Sequence, residues 1–295
     1  IIPQANKVFI ESFHGNNFSG DPKYIALGIK NFFKDKEVFV SSINSLVDIE
    51  IRNHGFKPVR FGSKDYIEKF RMSKYIFING NSWDKVYKHK DQVFIQTWHG
   101  FPLKKMVGDL GNKKERNHQL SQFKPRMYKW DYLITSSNVN SMLLSSAFQL
   151  HDNNELKVLE YGAPKNEYLL KFQTDEEWRR LQRKYLFKED TRKKYILYCP
   201  TWRNQKRSQV TSIDLKQLLG YLPNEYEIIV KLHPNESSLR PQYNNLDKRI
   251  HCFYNEFVDI QELYILSDIM ITDYSSTIFD FAHLNKPILL LQEDT

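Results

Sequence analysis

Short β-branched and aromatic runs recur along this chain with longer amphipathic segments between them. That alternation restricts the fold more than any other feature. Neighbouring strands separated by helical lengths of chain are too far apart in sequence for hairpins; they pair in parallel, with the helices crossing over the sheet faces. The first series reads as strands at KVFIES (7–12), EVFVSS, KPVRFG, YIFING, QVFIQTW, KWDYLITSS and ELKVLEYGAP. Helices are expected from about Asp21, over VDIEIRNHG to Gly55, and over DYIEKFRMSK.

The stretch 165–190 is charged, helical and without a strand, so it reads as an inter-domain connection. A second series follows: KYILYCPTW, YEIIVKLHP, RIHCFYN, DIMITDYSS and KPILLLQ as strands, with IDLKQLLGYL, DIQELYILS and TIFDFAHLN between them. The expected fold class is therefore α/β: two Rossmann-like domains, 1–168 and 169–295, with parallel sheets facing across a cleft. The 295 residues suffice for two cores, with 41% hydrophobic and 26% charged residues in the usual globular range. The chain opens at Ile1 and stops just after a strand, where an open sheet normally continues into a helix, so further residues are expected at both ends.

A formal charge of +8 and a pI of 9.2 favour anionic partners. The cations are scattered in pairs and triplets and form no block of the kind that binds nucleic acid, so no nucleic-acid partner is expected. Cys199 and Cys252 sit in apolar runs, with no spacing for zinc or a disulfide framework, which points to a reducing, cytosolic setting. No apolar run reaches the roughly 18 residues of a membrane span, and no signal peptide is seen.

Ligands of open α/β sheets bind outside the carboxyl ends of the strands, and five strand ends here carry unusual residues. In FIQTWHGFPLKK, His99 titrates near neutrality and suits acid–base work; Pro102 is expected to open a helix with Lys104 and Lys105 in its first turn, where cations call for a bound anion. The plain alternative is a His-Gly turn with solvated lysines. In YCPTWRN, Thr201 and Arg203 suit a phosphate, or Thr201 is simply a helix cap. In VKLHPNE, His233 ends a strand, although a His before Pro is often structural. In DIMITDYSSTIFDFA, Ser275 and Ser276 are expected to open a helix and offer hydroxyls to an anion; Asp280, one turn on, is placed to accept from a ribose diol, or the segment is only a well-capped helix. The loop ESFHGNNFSGDPKYI, with Asn16 and Asn17, reads as an acceptor-side loop; it is not GxGxxG, so NAD is not expected. No D-x-D-like cluster stands near these ends, so neither a metal nor another cofactor is expected.

Taken in order, ESFHGNNFSGDPKYI, QTWHGFPLKK, KWDYLITSS, YGAPKNE, YCPTWR, VKLHP and ITDYSSTIFDFA resemble the CDP-glycerol glycerophosphotransferase family of teichoic-acid and capsule polymerases, from about Lys7 to Leu291. The resemblance implies a GT-B-like pair of domains: the first on the acceptor side, the second binding the CDP-alditol. It implies transfer of glycerol phosphate or ribitol phosphate from CDP-glycerol or CDP-ribitol to a hydroxyl of a lipid-linked polyol-phosphate or saccharide acceptor, with release of CMP. It makes His99 and His233 catalytic and gives Thr201, Arg203, Ser275, Ser276 and Asp280 to the CDP pocket. Lys104, Lys105, Asn16 and Asn17 are expected on the acceptor. One departure is YGAPKNE, where Lys165 and Glu167 stand in place of an Arg-Asn-Asp element. With an anionic acceptor, the basic chain is expected at the inner face of the membrane as a peripheral protein. The alternatives are a nucleotide-sugar glycosyltransferase or epimerase of the same architecture, and a non-catalytic polyanion-binding protein.

Overall fold

The computed structural model describes residues 1–189, 192–202 and 213–292. The chain divides into two compact units, Ile1–Lys165 and Asn166–Thr295, a division three residues before the one expected from the charged connection.

The first unit holds strands β1 (Gln4–Glu11), β2 (Glu37–Ser42), β3 (Lys57–Arg60), β4 (Ser73–Ile78), β5 (Val93–Gln96), β6 (Tyr132–Ile134) and β7 (Lys157–Leu159). They form one parallel sheet in the order β3-β2-β1-β4-β5-β6-β7, the Rossmann order with one added strand. Helices α1 (Gly20–Phe32), α2 (Ser45–Asn53), α3 (Lys64–Met72), α4 (Lys113–Met127) and α5 (Asn138–Phe148) connect them. Alternation along β1 explains the two cores. Phe9 packs with Tyr66 and Phe70 of α3 on one face, while Val8 and Ile10 pack with Val47 and Ile51 of α2 on the other.

Helix α6 (Pro164–Phe172) carries the chain into the second unit, followed by α7 (Glu176–Phe187). Here β8 (Lys194–Cys199), β9 (Tyr226–Val230), β10 (Ile250–Cys252), β11 (Ile269–Thr272) and β12 (Ile288–Leu290) pair in parallel in the order β10-β9-β8-β11-β12. Helices α8 (Leu215–Gly220), α9 (Arg240–Asn244), α10 (Ile260–Leu266) and α11 (Thr277–Phe281) link them. Tyr195 and Leu197 face one core and Ile196 and Tyr198 the other. Cys199 and Cys252 are free, buried and in opposite cores, and burial pushes both thiols up to about 12. Among the described residues, no helix is long and apolar enough to cross a membrane.

Candidate active site

In each unit the strand order reverses between the first and fourth strands, so the positions just beyond β1 and β4, and beyond β8 and β11, are where this topology receives ligands. The strand β5 lies beside β4 and ends in the WHG element. The turn there is held by a buried amide: Gln96 accepts from the Trp98 N–H at 2.9 Å and donates to the Gly80 carbonyl at 2.9 Å. Trp98 is left-handed (φ 54°), a costly conformation for a bulky residue, and its indole is anchored in the core 4.8 Å from the Phe148 ring. The next side chain, His99, is thereby turned out of the core and exposed.

His99 Nδ1 lies 2.8 Å from the carbonyl oxygen of Asn79. A carbonyl only accepts, so Nδ1 carries the hydrogen and the lone pair of neutral His99 sits on Nε2. Protein crowding around the ring lowers its pKa, partly offset by the Asn79 bond; the charges of Lys165 and His14 lower it further. Neutral His99 is therefore a base with an outward Nε2.

Two expectations for this segment change. No helix follows Pro102; Phe101–Met106 is irregular, a short 3-10 turn spans Val107–Asp109, and α4 begins only at Lys113, capped by Asn112, whose side chain accepts from the Glu115 N–H. Burial of Val107 and close packing of Gly108 on the last carbonyls of α5 hold the chain in this path, and two lysines in a first turn would oppose the helix dipole. Lys104 and Lys105 are exposed cations on a loop. The asparagines of the first loop also turn inward on the loop itself: Asn16 donates to the Phe13 carbonyl at 2.6 Å, and Asn17 accepts from Ser19 at 2.9 Å.

In the second unit, the ends of β8 and β11 are tied together. The Thr201 N–H donates to Asp273 at 2.9 Å, and the Thr201 hydroxyl donates to the same carboxylate oxygen. The Thr201 hydroxyl proton is therefore directed to Asp273. Beyond β9, His233 stacks on Trp202, with ring centroids 5.7 Å apart and an angle of 22° between the planes. Its Nδ1 accepts from the Asn235 N–H at 3.2 Å, capping the 3-10 turn Pro234–Leu239. Neutral His233 consequently carries its hydrogen on Nε2, the reverse of His99, and shielding from solvent lowers its pKa.

The helix α11 starts at Thr277, and the serine that serves its first turn is Ser275, which accepts from the Thr277 N–H at 3.3 Å and hydroxyl at 2.9 Å; Ser276 makes no capping bond. Asp280 accepts from Asn166 at 3.1 Å, and Asn166 accepts from Gln261 at 3.3 Å. Arg203 lies outside the described residues. Among the described residues, no group of three or more His, Cys, Asp or Glu is placed to hold a metal.

Lys165, noted in the sequence only as a departure from the family pattern, brings its charge to bear on His99, and sequence reasoning passed over Glu11, His14 and Asn79 at the ends of β1 and β4. The signal for the last three was available in the strand-end rule. It becomes decisive only once the sheet order shows that the reversal falls between these two strands.

Two parallel sheets of Rossmann order, with polar residues gathered at their carboxyl ends, define a two-unit α/β protein of the GT-B-like kind. The profile of the family described as CDP-Glycerol:Poly(glycerophosphate) glycerophosphotransferase matches residues 2–295, and the chain belongs to that family. It is 32% identical to the teichoic acid poly(glycerol phosphate) polymerase of Bacillus spizizenii, covering 100% of this chain and 76% of that one. It is 28% identical to the teichoic acid glycerol-phosphate transferase of Staphylococcus aureus, covering 99% of this chain and 75% of that one. A solved structure of a variant of the wall teichoic acid polymerase TagF, soaked with CDPG, superposes with a TM-score of 0.82 at 27% identity, over 97% of this chain and 70% of that one. A UDP-GlcNAc 2-epimerase from Neisseria meningitidis shares the fold alone, with a TM-score of 0.57 at 13% identity.

Proposed function

We propose that this chain transfers glycerol phosphate from CDP-glycerol to a hydroxyl of a teichoic-acid-type acceptor, releasing CMP. Family membership over residues 2–295 supports the reaction class, and the glycerol-phosphate polymerases among its relatives support the glycerol donor over ribitol. The observation that carries the mechanism is the opposite tautomer of the two histidines: His99 presents a lone pair at Nε2, and His233 presents a hydrogen there. His99 takes the proton of the acceptor hydroxyl as that oxygen attacks the β-phosphorus of the donor. His233 donates to an oxygen of the transferring phosphate or to the departing CMP.

In this reading the second unit binds the CDP moiety through the Thr201–Asp273 strand-end pair, Arg203, Ser275, Ser276 and Asp280. Lys104 and Lys105 attract the anionic acceptor, and Asn16 and Asn17 shape the loop beside it. The basic chain works as a peripheral protein at an anionic membrane face. The test is a donor panel of CDP-glycerol, CDP-ribitol and UDP-sugars with release of CMP or UDP measured and product mass recorded. CMP from CDP-glycerol in the presence of acceptor is expected; release only of UDP from UDP-sugars would overturn the reading in favour of a nucleotide-sugar enzyme.

A further inference from the structure

The reversal of strand order in the first unit falls between β1 and β4, and the groups at the end of β1 are not used by the mechanism above. Phe13, His14 and Gly15 are all left-handed, at φ 46°, 57° and 80°. Two of the three are not glycine, and such strain persists only where the surroundings impose it, often at functional sites. Here the Phe13 N–H donates to the Asn79 side chain at 2.8 Å, and Gly15 is bonded to Ser12 and Ile43. The turn leaves the His14 side chain 46% exposed. Its Nε2 lies 3.6 Å from where a side chain at Gly80 would begin, so the ring covers the Asn79–Gly80 turn from which His99 also hangs.

Behind His14 stands Glu11, a carboxyl with no solvent exposure at all. One oxygen accepts from the Tyr66 hydroxyl at 2.6 Å; the other makes no hydrogen bond of good geometry, has the Ser41 hydroxyl near it and faces His14 Nδ1 at 4.0 Å. A buried, half-satisfied carboxyl aimed at an exposed imidazole is an orienting pair, since an unpartnered buried oxygen is costly.

We propose that His14, oriented by Glu11, is a second acceptor-contacting imidazole, and that with His99 it selects acceptors ending in a vicinal diol. This rests on the reading that His99 receives the acceptor hydroxyl. Above about pH 7, where Glu11 is ionised, its charge opposite Nδ1 draws the His14 hydrogen to Nδ1 and leaves a lone pair on Nε2, the same tautomer that the Asn79 carbonyl imposes on His99. Two lone pairs around one turn match two hydroxyl donors on adjacent carbons. His99 deprotonates one hydroxyl while His14 holds the other. A single hydroxyl leaves one ring without a partner, and sites built for a hydroxyl discriminate against its absence. The charged and titratable groups facing this cluster are Glu11 and Tyr66 behind His14, Arg126 and His99 beside it, and Lys165 beside His99.

The test compares a polymer acceptor ending in glycerol phosphate with one whose end is 3-hydroxypropyl phosphate, lacking the neighbouring hydroxyl. The wild-type KM is expected to be about tenfold lower for the diol. His14→Ala should raise the diol KM about tenfold, concentrate the loss in KM rather than kcat, and leave the two acceptors within about twofold of each other. At pH 8.5 Glu11→Gln removes the charge that holds the His14 hydrogen on Nδ1, and the loss of that tautomer preference should be read directly by 15N NMR. Titration of either acceptor into donor-free protein reads the His14 resonances without turnover, and they should move with the diol only. An unchanged KM ratio in His14→Ala, or His14 resonances that respond equally to both acceptors, overturns the proposal. Absence of CMP release with both acceptors would instead overturn the reaction assigned above, and the NMR titration would still decide the role of His14.

Discussion

Replacing Glu11 by Gln isolates the cost of a carboxylate at the end of β1. Burial pushes the Glu11 carboxyl up to about 7 from an ordinary 4.5, against the lowering influence of the Tyr66 and Ser41 hydroxyls. The folded chain therefore keeps this proton up to about pH 7 and ionises Glu11 above it, while the unfolded chain ionises near 4.5. A raised folded pKa gives stability that is fully present below the unfolded value and is lost as the pH rises through the folded one. The loss builds between 4.5 and about 7 and is complete above that. For a rise from 4.5 to about 7 it amounts to roughly 3 kcal/mol, most of which falls between pH 5 and pH 8.5. Glutamine keeps the acceptor for Tyr66 and cannot ionise. In urea unfolding followed by circular dichroism at the two pH values, Glu11→Gln should gain about 2–3 kcal/mol relative to wild type on going from pH 5 to pH 8.5. A variant that tracks wild type within about 0.5 kcal/mol at both pH values would refute the claim that burial of Glu11 raises its pKa in the fold.

His99→Ala should lower kcat about 10²- to 10⁴-fold while changing unfolding free energy by less than about 0.5 kcal/mol, measured by CMP release and urea titration. Because burial, Lys165 and His14 hold the His99 pKa below its ordinary 6.5, the acid limb of wild-type kcat/KM should bend below that pH and should be missing from the residual activity of the variant. Gly15→Ala should destabilise the first unit by about 1–3 kcal/mol, as read by chemical denaturation, since the left-handed φ of 80° disfavours a side chain and its Cβ would meet Ser41 Oγ at 2.9 Å and the Ser42 backbone at 3.0 Å. The protein should sediment with phosphatidylglycerol vesicles at low salt, be released as salt rises, and ignore phosphatidylcholine vesicles; equal binding to both would argue against an electrostatic membrane partner.

The strands were the legible part of this chain. The run EVFVSS coincides with β2, buried from Val38 to Ser42 inside the sheet, and KPVR with the edge strand β3, of which only Val59 is buried. The helix expected at Pro102 failed because tertiary packing of Val107 and Gly108, invisible in a local window, sets the path there. For the site, position was readable and engagement was not. His99 and His233 do stand just beyond strands, but their tautomers depend on the Asn79 carbonyl, 20 residues before His99, and on the Asn235 N–H. The Asp273 partner of Thr201 was not legible, because it lies 72 residues away in sequence and becomes a neighbour only through the pairing of β8 with β11. Asn16 and Asn17 drew attention by residue type, while the neighbouring His14 acquires meaning only when β1 is seen beside β4.

The amide of Gln96 makes two demands at once, an oxygen for the Trp98 N–H and an N–H for the Gly80 carbonyl, and no other side chain of that length meets both. Glutamate would face the Gly80 carbonyl with a second acceptor, and a hydrocarbon would leave both backbone groups stranded. The shape of the turn is thus written into residues that never meet a substrate, and the imidazole that follows is a removable head on a finished mount. Substitutions at 99 are therefore free to explore other chemistry at little structural risk, whereas a change at 96 would dismantle the platform on which any such chemistry stands.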